Sequence, residues 1–470
     1  MSDESIYSST ILMPFNLETL KRGFFNKDSS IISTQFFLLL KDKSTIVNDE
    51  WTVESLDHSV ILNDQNEDHV AEHLAQCVVT LTLFHELSNI KSLTAKEAKD
   101  YWDTLLSFMD TVHMFIHLLH YRIIWKIAYD AVSWYKTLSL TLAASSQPHN
   151  KTIYASISLK RFTQSLQSLI QLEDDFPARR SVVVISAYCH VLMEEYDQAS
   201  TLLDPLTSSV FLISEDDPEI IILWYYTFSW TCILQGRHLE AAEIILQPIK
   251  KLIDLSTHFK YTEALQLGSL LNTAILLACL FESNDRYDSL LIHYCYSLTS
   301  SKSIVLRDEN PIFKRYTRLL SGHALLYSKE KQSLYLKRIV DETVFHFLPC
   351  CVYDLFDTTT VDGGLIEVKR ELMVARVVEE CEEGLTMKRI SRVSKLLAPV
   401  HVKEVSKYVQ MSQSDVQKVI SNVNMSEKRH MKRSPFSVSL DERGVIRIRD
   451  LGQFKSLRMM TSHEILQRYP

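Results

Sequence analysis

From His69 onward, apolar residues recur at three- and four-residue spacings, the period of a helix with one buried face. The pattern predicts helices near 70–90, 95–143, 153–172, 179–193, 196–206, 218–235, 238–254, 261–281, 285–299, 311–327 and 331–347. Residues 1–65 are mixed. Phe36-Phe37-Leu38-Leu39-Leu40 suits a short helical run, and Asn63 to Asp68 reads as a polar loop. Before residue 430 few segments alternate in the two-residue rhythm of a strand. Glycine is scarce, nine in 470 residues. Interior glycine costs a helix about 1 kcal/mol against alanine, so this scarcity fits a helical chain better than a propeller or barrel.

The middle of the chain repeats itself. Tyr196-Asp-Gln-Ala199-Ser-Thr-Leu202-Leu203-Asp-Pro205 aligns with Leu239-Glu-Ala-Ala242-Glu-Ile-Ile245-Leu246-Gln-Pro248 at an offset of 43. An apolar helix precedes each, ending near Met193 and Leu234. The unit is helix, tight turn, helix, with Ala199 and Ala242 allowing close approach. One such hairpin cannot bury its apolar face alone, so neighbours must stack into a solenoid.

The last hundred residues change character. Asp357 to Gly364 resembles a linker, and a helical segment runs from Leu365 to about Glu383. An amphipathic helix follows from Leu385 to Leu397, then His401 to Val409, a turn at Gln410 to Gln413, and Ser414 to Val423 with Ser414 as N-cap. Phe436-Ser-Val438-Ser-Leu440 alternates strictly. Asp441-Glu-Arg-Gly444 reads as a hairpin turn, and Val445-Ile446-Arg447-Ile448-Arg449 returns. Three helices and a two-stranded wing describe a winged helix. The expected fold class is all-α: a helical-hairpin solenoid resembling tetratricopeptide repeats over 66–356, then a winged-helix module with a small β-hairpin over 365–450. An N-terminal segment (1–65) and a helical tail (451–470) flank them.

Hydrophobic residues make up 46% and charged residues 23%, ordinary for a folded chain. The net charge of −8 gives no general attraction to nucleic acid or anionic lipid. Cys77, Cys189, Cys232, Cys279, Cys295, Cys350, Cys351 and Cys381 form no C-x-x-C pair, so reduced, buried thiols are expected. The N-terminus has no basic and apolar leader pattern, and the longest apolar run, Leu270 to Phe281, falls short of a bilayer span. Cytoplasm and nucleus are the expected compartments.

Helical hairpins running into a winged helix resemble the PCI family, shared scaffold subunits of the proteasome lid, the COP-nine signalosome and translation initiation factor three. Ile390, Val393, Val405, Val409, Met411, Val416 and Ile420 fall where that family places its winged-helix core. Trp224-Tyr225-Tyr226 leading to Gly236-Arg237 and Ala241-Ala242, and Met411-Ser412 with the segment from Phe436 to Val445, resemble its signalosome members. The resemblance implies a non-catalytic scaffold whose partners are other PCI-containing subunits. Such a chain supports removal of a ubiquitin-like modifier from cullins without performing it. It also implies edge-to-edge joining of winged helices, with Phe436, Val438, Leu440, Val445, Ile446 and Ile448 as interface candidates. The lid and initiation-factor assemblies are the alternatives within the family.

No catalytic residue, metal ligand, cofactor or small-molecule substrate is expected. His69-Val-Ala-Glu72-His73 matches the inverted zinc-protease spacing H-x-x-E-H, but no substrate-binding strand pattern accompanies it. His113, His117 and His120 would share one face of a continuous helix, among aromatic residues that favour packing over metal binding. None of the seventeen histidines forms the H-x-H pair of a deconjugating metal site. Phosphate loops and nucleophile elbows are absent from the sequence. Asp174-Asp175 and Asp216-Asp217 read as solvated loop pairs. From residue 423 on, ten Lys or Arg face five Asp or Glu, including Lys428-Arg429-His430-Met431-Lys432-Arg433. This favours a winged-helix nucleic-acid adaptor as the alternative of another class. The third helix, however, carries Asp415, Gln417 and Lys418 and no arginine for guanine readout. The same basic cluster also fits a nuclear-import signal, a weak motif, or a solvated loop.

Overall fold

The computed structural model describes residues 14–48, 67–90, 94–144, 157–171, 179–206, 218–255, 261–280, 287, 290–294, 329–344, 364–397, 400–430 and 436–450. Among them the chain is predominantly helical. It divides into two compact units, Met1–Cys189 with Cys350–Ile366, and His190–Pro349 with Glu367–Pro470. The helix expected at 311–327, most of that at 285–299, the linker at 357–363, the tail at 451–470 and Cys295, Cys350 and Cys351 lie outside the described residues.

The first unit contains α1 (Leu17–Phe25), α2 (Ser29–Asn48), α3 (Glu67–Ile90), α4 (Ala95–Thr111), α5 (Tyr121–Ala144) and α6 (Leu159–Ile170). Asn16 Oδ1 accepts from Thr19 N at 2.9 Å to cap α1. Thr94 and Glu97 form a reciprocal capping box on α4, satisfying donors the helix cannot reach. The core is aromatic. Phe84 stacks on Tyr101 and meets Trp134 edge-on, while Trp102 packs on Tyr135 and Phe162.

The helix expected over 95–143 is broken. Between α4 and α5 lie two 3-10 turns, Val112–Met114 and Ile116–Leu118, and Leu119 is extended. Val112, Phe115, Ile116 and Leu119 are all buried, so the apolar spacing runs on through the break and conceals it. The three histidines therefore do not form one helical stripe. His113 and His117 are exposed, and His120 Nδ1 accepts from Arg122 N at 3.3 Å with its ring against Phe37 and Tyr121.

The division between units falls inside α7 (Arg179–Leu192). Then come α8 (Tyr196–Leu203), α9 (Pro218–Leu234), α10 (His238–Leu255), α11 (Tyr261–Leu280), α12 (Lys329–Val344) and α13 (Gly364–Leu397). The repeat is real but its offset is 42, not 43. Glu195 N bonds to His190 O as Arg237 N bonds to Cys232 O, and Ala199 N to Glu195 O as Ala241 N to Arg237 O. Ala199 thus matches Ala241. The αL position that closes each turn is Glu194 (φ 63°) in one copy and Gly236 (φ 75°) in the other.

Helix α9 packs against α8, α10 and α11 and is buried nearly throughout, including Trp224, Tyr225 and Tyr226. Trp230 Nε1 donates to Thr273 Oγ1 of α11 at 3.2 Å. A polar network joins the copies at the turn: Gln235 Nε2 donates to Asp197 Oδ1 at 2.8 Å, and Arg237 bonds Ser200 and pairs with Glu240.

Residues 364–397 are one continuous helix, not two meeting near Gly384. Along its buried side, Cys381, Gly384 and Lys388 face the last turn of α11. Lys388 Nζ donates to Ala278 O at 2.8 Å, placing a cation on carbonyls that α11 leaves unpaired.

After α13 the chain forms β1 (Val400–His401), α14 (Val402–Val409), α15 (Gln413–His430), β2 (Phe436–Leu440) and β3 (Val445–Asp450). The three strands form one antiparallel sheet in the order β1-β3-β2. Helix α15 runs past Val423 to His430, so Lys428, Arg429 and His430 of the basic cluster lie in a helix. The five cysteines among the described residues are buried, and no two of them form a disulfide. No helix among the described residues is long and apolar enough to cross a membrane.

Candidate assembly interface

Short local signals build the C-terminal module. His401 Nδ1 accepts from Lys403 N at 3.1 Å and caps α14, and Gln410 in the αL region (φ 55°) ends it. Ser412, not Ser414, caps α15. Its carbonyl accepts from Val416 N and its hydroxyl from Asp415 N at 3.0 Å, while that hydroxyl donates to Asp415 Oδ2 at 2.6 Å. Ser412-Gln-Ser-Asp415 is a capping-box spacing, a signal available in the sequence.

The module's core contains Met387, Ile390, Val400, Val402, Val405, Val409, Val416, Ile420 and Ile446, with Met411, Val419 and Leu440 packed against it half-buried. Of the residues expected in this core, Ile390, Val405, Val409, Val416 and Ile420 are buried and Met411 is at the margin. The side chain of Val393 lies outside the described residues. Met387 and Val402 were missed, although each stands three residues before a recognised core position.

The hairpin turn is held by Asp441. Its Oδ1 accepts from Arg443 N at 3.0 Å and Val445 N at 2.9 Å, and Arg447 reaches Oδ2 at 3.4 Å. Val445's N–H foremost, then Arg443's and the Arg447 guanidinium, hold this carboxyl below its ordinary value despite some opposing desolvation. Gly444 is left-handed (φ 74°), and a Cβ there would stand 3.0 Å from His401 Nε2. A side chain in place of this hydrogen would be strained by the backbone conformation and would press on the His401 ring.

Two hydrogen bonds fix which way the β2 backbone points. Asp441 N donates to Val445 O at 3.0 Å, and Val402 N to Gly444 O at 2.9 Å. Antiparallel backbones alternate sides residue by residue. Asp441 therefore turns its amide towards β3, and Leu440, Val438 and Phe436 turn theirs away. The second bond agrees: with Gly444 bonded towards β1, Ile446 also bonds that way, so the Leu440–Ile446 pair is not hydrogen-bonded across β2 and β3. Among the described residues β2 has β3 as its sole neighbour. The outward N–H and C=O groups of Phe436, Val438 and Leu440 consequently have no strand partner among the described residues, and β2 is an open edge of the described sheet.

This changes the role of the expected interface side chains. Ile446 is 1% exposed and belongs to the module's own core, so it is withdrawn as a contact residue. Leu440 is half-buried against the same core, and Val445 is half-buried beside the turn. The register sets Val438 opposite Ile448 and Phe436 opposite Asp450. What the edge offers is backbone.

Two exposed cations of the module have carboxylate partners. Lys407 pairs with Glu404 at 3.0 Å and Arg447 with Asp441, while Tyr408 is 64% exposed. The H-x-x-E-H segment does not converge on a metal. His69 is exposed, Glu72 binds Lys21 Nζ at 2.8 Å, and buried His73 holds Nε2 at 2.9 Å from Ser107 Oγ. Among the described residues no three His, Cys, Asp or Glu side chains gather as metal ligands. Burial pushes the Cys77 thiol, beside His73, well above its usual range, the opposite of what a nucleophile needs.

No protein-family model matches the chain, and no curated protein matches it.

Proposed function

We propose that this chain is a non-catalytic scaffold subunit of a multi-protein assembly, in which a solenoid of helical hairpins carries a winged helix of the PCI type. The observation that carries the reading is the open β2 edge at the end of the order helix, β1, α14, α15, β2, β3. That order and the strand sequence β1-β3-β2 suit a winged helix whose first helix is the C-terminal part of α13. An unpaired edge is a liability unless another strand or element completes it, so a neutral edge of five residues favours partner binding. The α7–α8 and α9–α10 pairs, repeating with the same turn, favour the solenoid.

Within the family, the aromatic run Trp224-Tyr225-Tyr226 ahead of Gly236-Arg237, and the segment from Met411 through Val445, resemble the third subunit of the COP-nine signalosome. On that reading the chain holds PCI-containing neighbours together in nucleus and cytoplasm. It supports removal of a ubiquitin-like modifier from cullins and contributes no catalytic group. The proteasome lid and translation initiation factor three are the other assemblies of this kind. A nucleic-acid adaptor has less support. The exposed part of α15 presents Gln413, Asp415, Gln417 and Lys418, and Arg447 and Lys407 already have carboxylate partners.

The test is affinity purification of the full chain, wild type beside Val438→Pro, with the bound proteins identified by mass spectrometry. Proline at 438 removes an outward donor and leaves the β2–β3 bonds in place, a position where edge strands tolerate it. Wild type should bring down signalosome subunits, and Val438→Pro should lose them with helicity unchanged. Lid or initiation-factor subunits would move the chain to that assembly. A solitary wild-type chain would overturn the scaffold reading.

A further inference from the structure

The open edge has a sequence that reads alike from both ends. Strand β2 is Phe436-Ser437-Val438-Ser439-Leu440. Laid antiparallel on another copy of itself about a two-fold axis at Val438, it pairs apolar with apolar and hydroxyl with hydroxyl. Phe436 meets Leu440 of the second copy, Ser437 meets Ser439, and Val438 meets its own counterpart. The outward residues of the edge are Phe436, Val438 and Leu440, and that same axis pairs every one of their free N–H groups with a free C=O. A one-residue slip would set outward residues against inward ones, so hydrogen bonding and polarity select the same register. The strand carries no Lys, Glu, Pro or bulge to deter such pairing, and being neutral it meets its copy without like-charge repulsion.

We infer that β2 pairs with β2 of a second copy of this chain when its assembly partners are absent, joining two three-stranded sheets into one by an isologous contact. The inference rests on the reading of this edge as the assembly surface, and it adds a regulation of that surface. Self-pairing and partner binding use the same N–H and C=O groups, so they exclude one another. A contact made by one short strand from each copy is far below the area of a permanent dimer. The self-paired form is therefore dependent on concentration and yields to a partner with a larger surface.

The experiment uses the full chain with single cysteines introduced at β2 and treated with a mild oxidant. Val438→Cys sets two thiols opposite each other at about 5.5 Å between Cα atoms, inside disulfide range. It should give a dimer that a reductant reverses. Phe436→Cys sets its thiols about 14 Å apart, four residues along the strand, and should stay monomeric. The wild-type chain under the same oxidant reports any contribution from native cysteines. Sedimentation velocity supplies the second readout: wild type should approach twice the monomer mass as concentration rises, and Val438→Pro should not. Equal cross-linking at 436 and 438, or wild type monomeric at every concentration, overturns the inference. If self-pairing fails while Val438→Pro still loses its partners, the scaffold reading stands and the second copy falls. If both fail, the edge is not an assembly surface.

Discussion

Gly384 of α13 lies so close to α11 that a Cβ on it would stand 1.9 Å from the carbonyl oxygen of Cys279. The glycine is therefore the contact point between two helices and not a helix end. Gly384→Ala should destabilise the second unit by about 1–3 kcal/mol, the cost of forcing atoms into a packed interior, even though alanine is the better helix former by about 1 kcal/mol. Urea unfolding followed by circular dichroism would show a lower midpoint. An unchanged or higher midpoint would mean that the helices are not in contact there.

The repeat supplies a substitution of the opposite sign. Glu194 holds the αL conformation that Gly236 holds in the next copy. An L side chain in that region costs about 1–2 kcal/mol. Glu194→Gly should raise stability by about 1 kcal/mol, whereas Gly236→Glu should lower it. Both are read from thermal or urea midpoints, and equal effects would contradict equivalence of the two turns.

Cap assignment separates two neighbouring serines. Ser412→Ala should cost about 1 kcal/mol by removing the hydroxyl that Asp415 N donates to. Ser414, exposed and one position inside the helix, should tolerate alanine with little change. Amide exchange at Asp415, faster in Ser412→Ala and unchanged in Ser414→Ala, is the discriminating readout.

The hairpin turn predicts a pH dependence. The hydrogen bonds from Val445 N and Arg443 N and the nearby Arg447 hold the Asp441 carboxyl, when folded, below the ordinary range of an aspartate. Its contribution is therefore fully present above about pH 4 and is lost as pH falls through the lower folded value. The stability difference between wild type and Asp441→Asn should shrink as the medium is acidified below that point. A difference that grows on acidification would mean the carboxyl is raised, not lowered.

How much of this was legible in the sequence depended on what set each feature. The nearly all-apolar α9 and the amphipathic α10 followed from the apolar pattern alone, as did both hairpin strands. The break at 112–120 was hidden because Val112, Ile116 and Leu119 keep helical spacing while the backbone does not. The repeat offset was misplaced by one because Ala241 and Ala242 are both small and Ile245 and Leu246 both apolar, so the αL turn, not the apolar pattern, decides the match. Gly384 misled for a related reason: in sequence a glycine reads as an end, and the facing carbonyl of Cys279 is more than a hundred residues away. The strand alternation located the β2–β3 hairpin, but the resemblance placed Ile446 among the interface candidates and its burial in the module's core went unseen. Ile446 pairs with Val400 of β1, a strand of two residues, too short to announce itself.

Residue-resolved amide exchange across β2, in the purified chain and in its assembled complex, tests the central claim most directly. The N–H groups of Ser437 and Ser439 point to β3 and should exchange slowly in both. Those of Phe436, Val438 and Leu440 point outward. They should exchange quickly in the dilute free chain and become protected on assembly. Protection of Val438 already present in the dilute monomer, or none gained in the complex, would contradict a scaffold that completes its sheet with a strand from another chain.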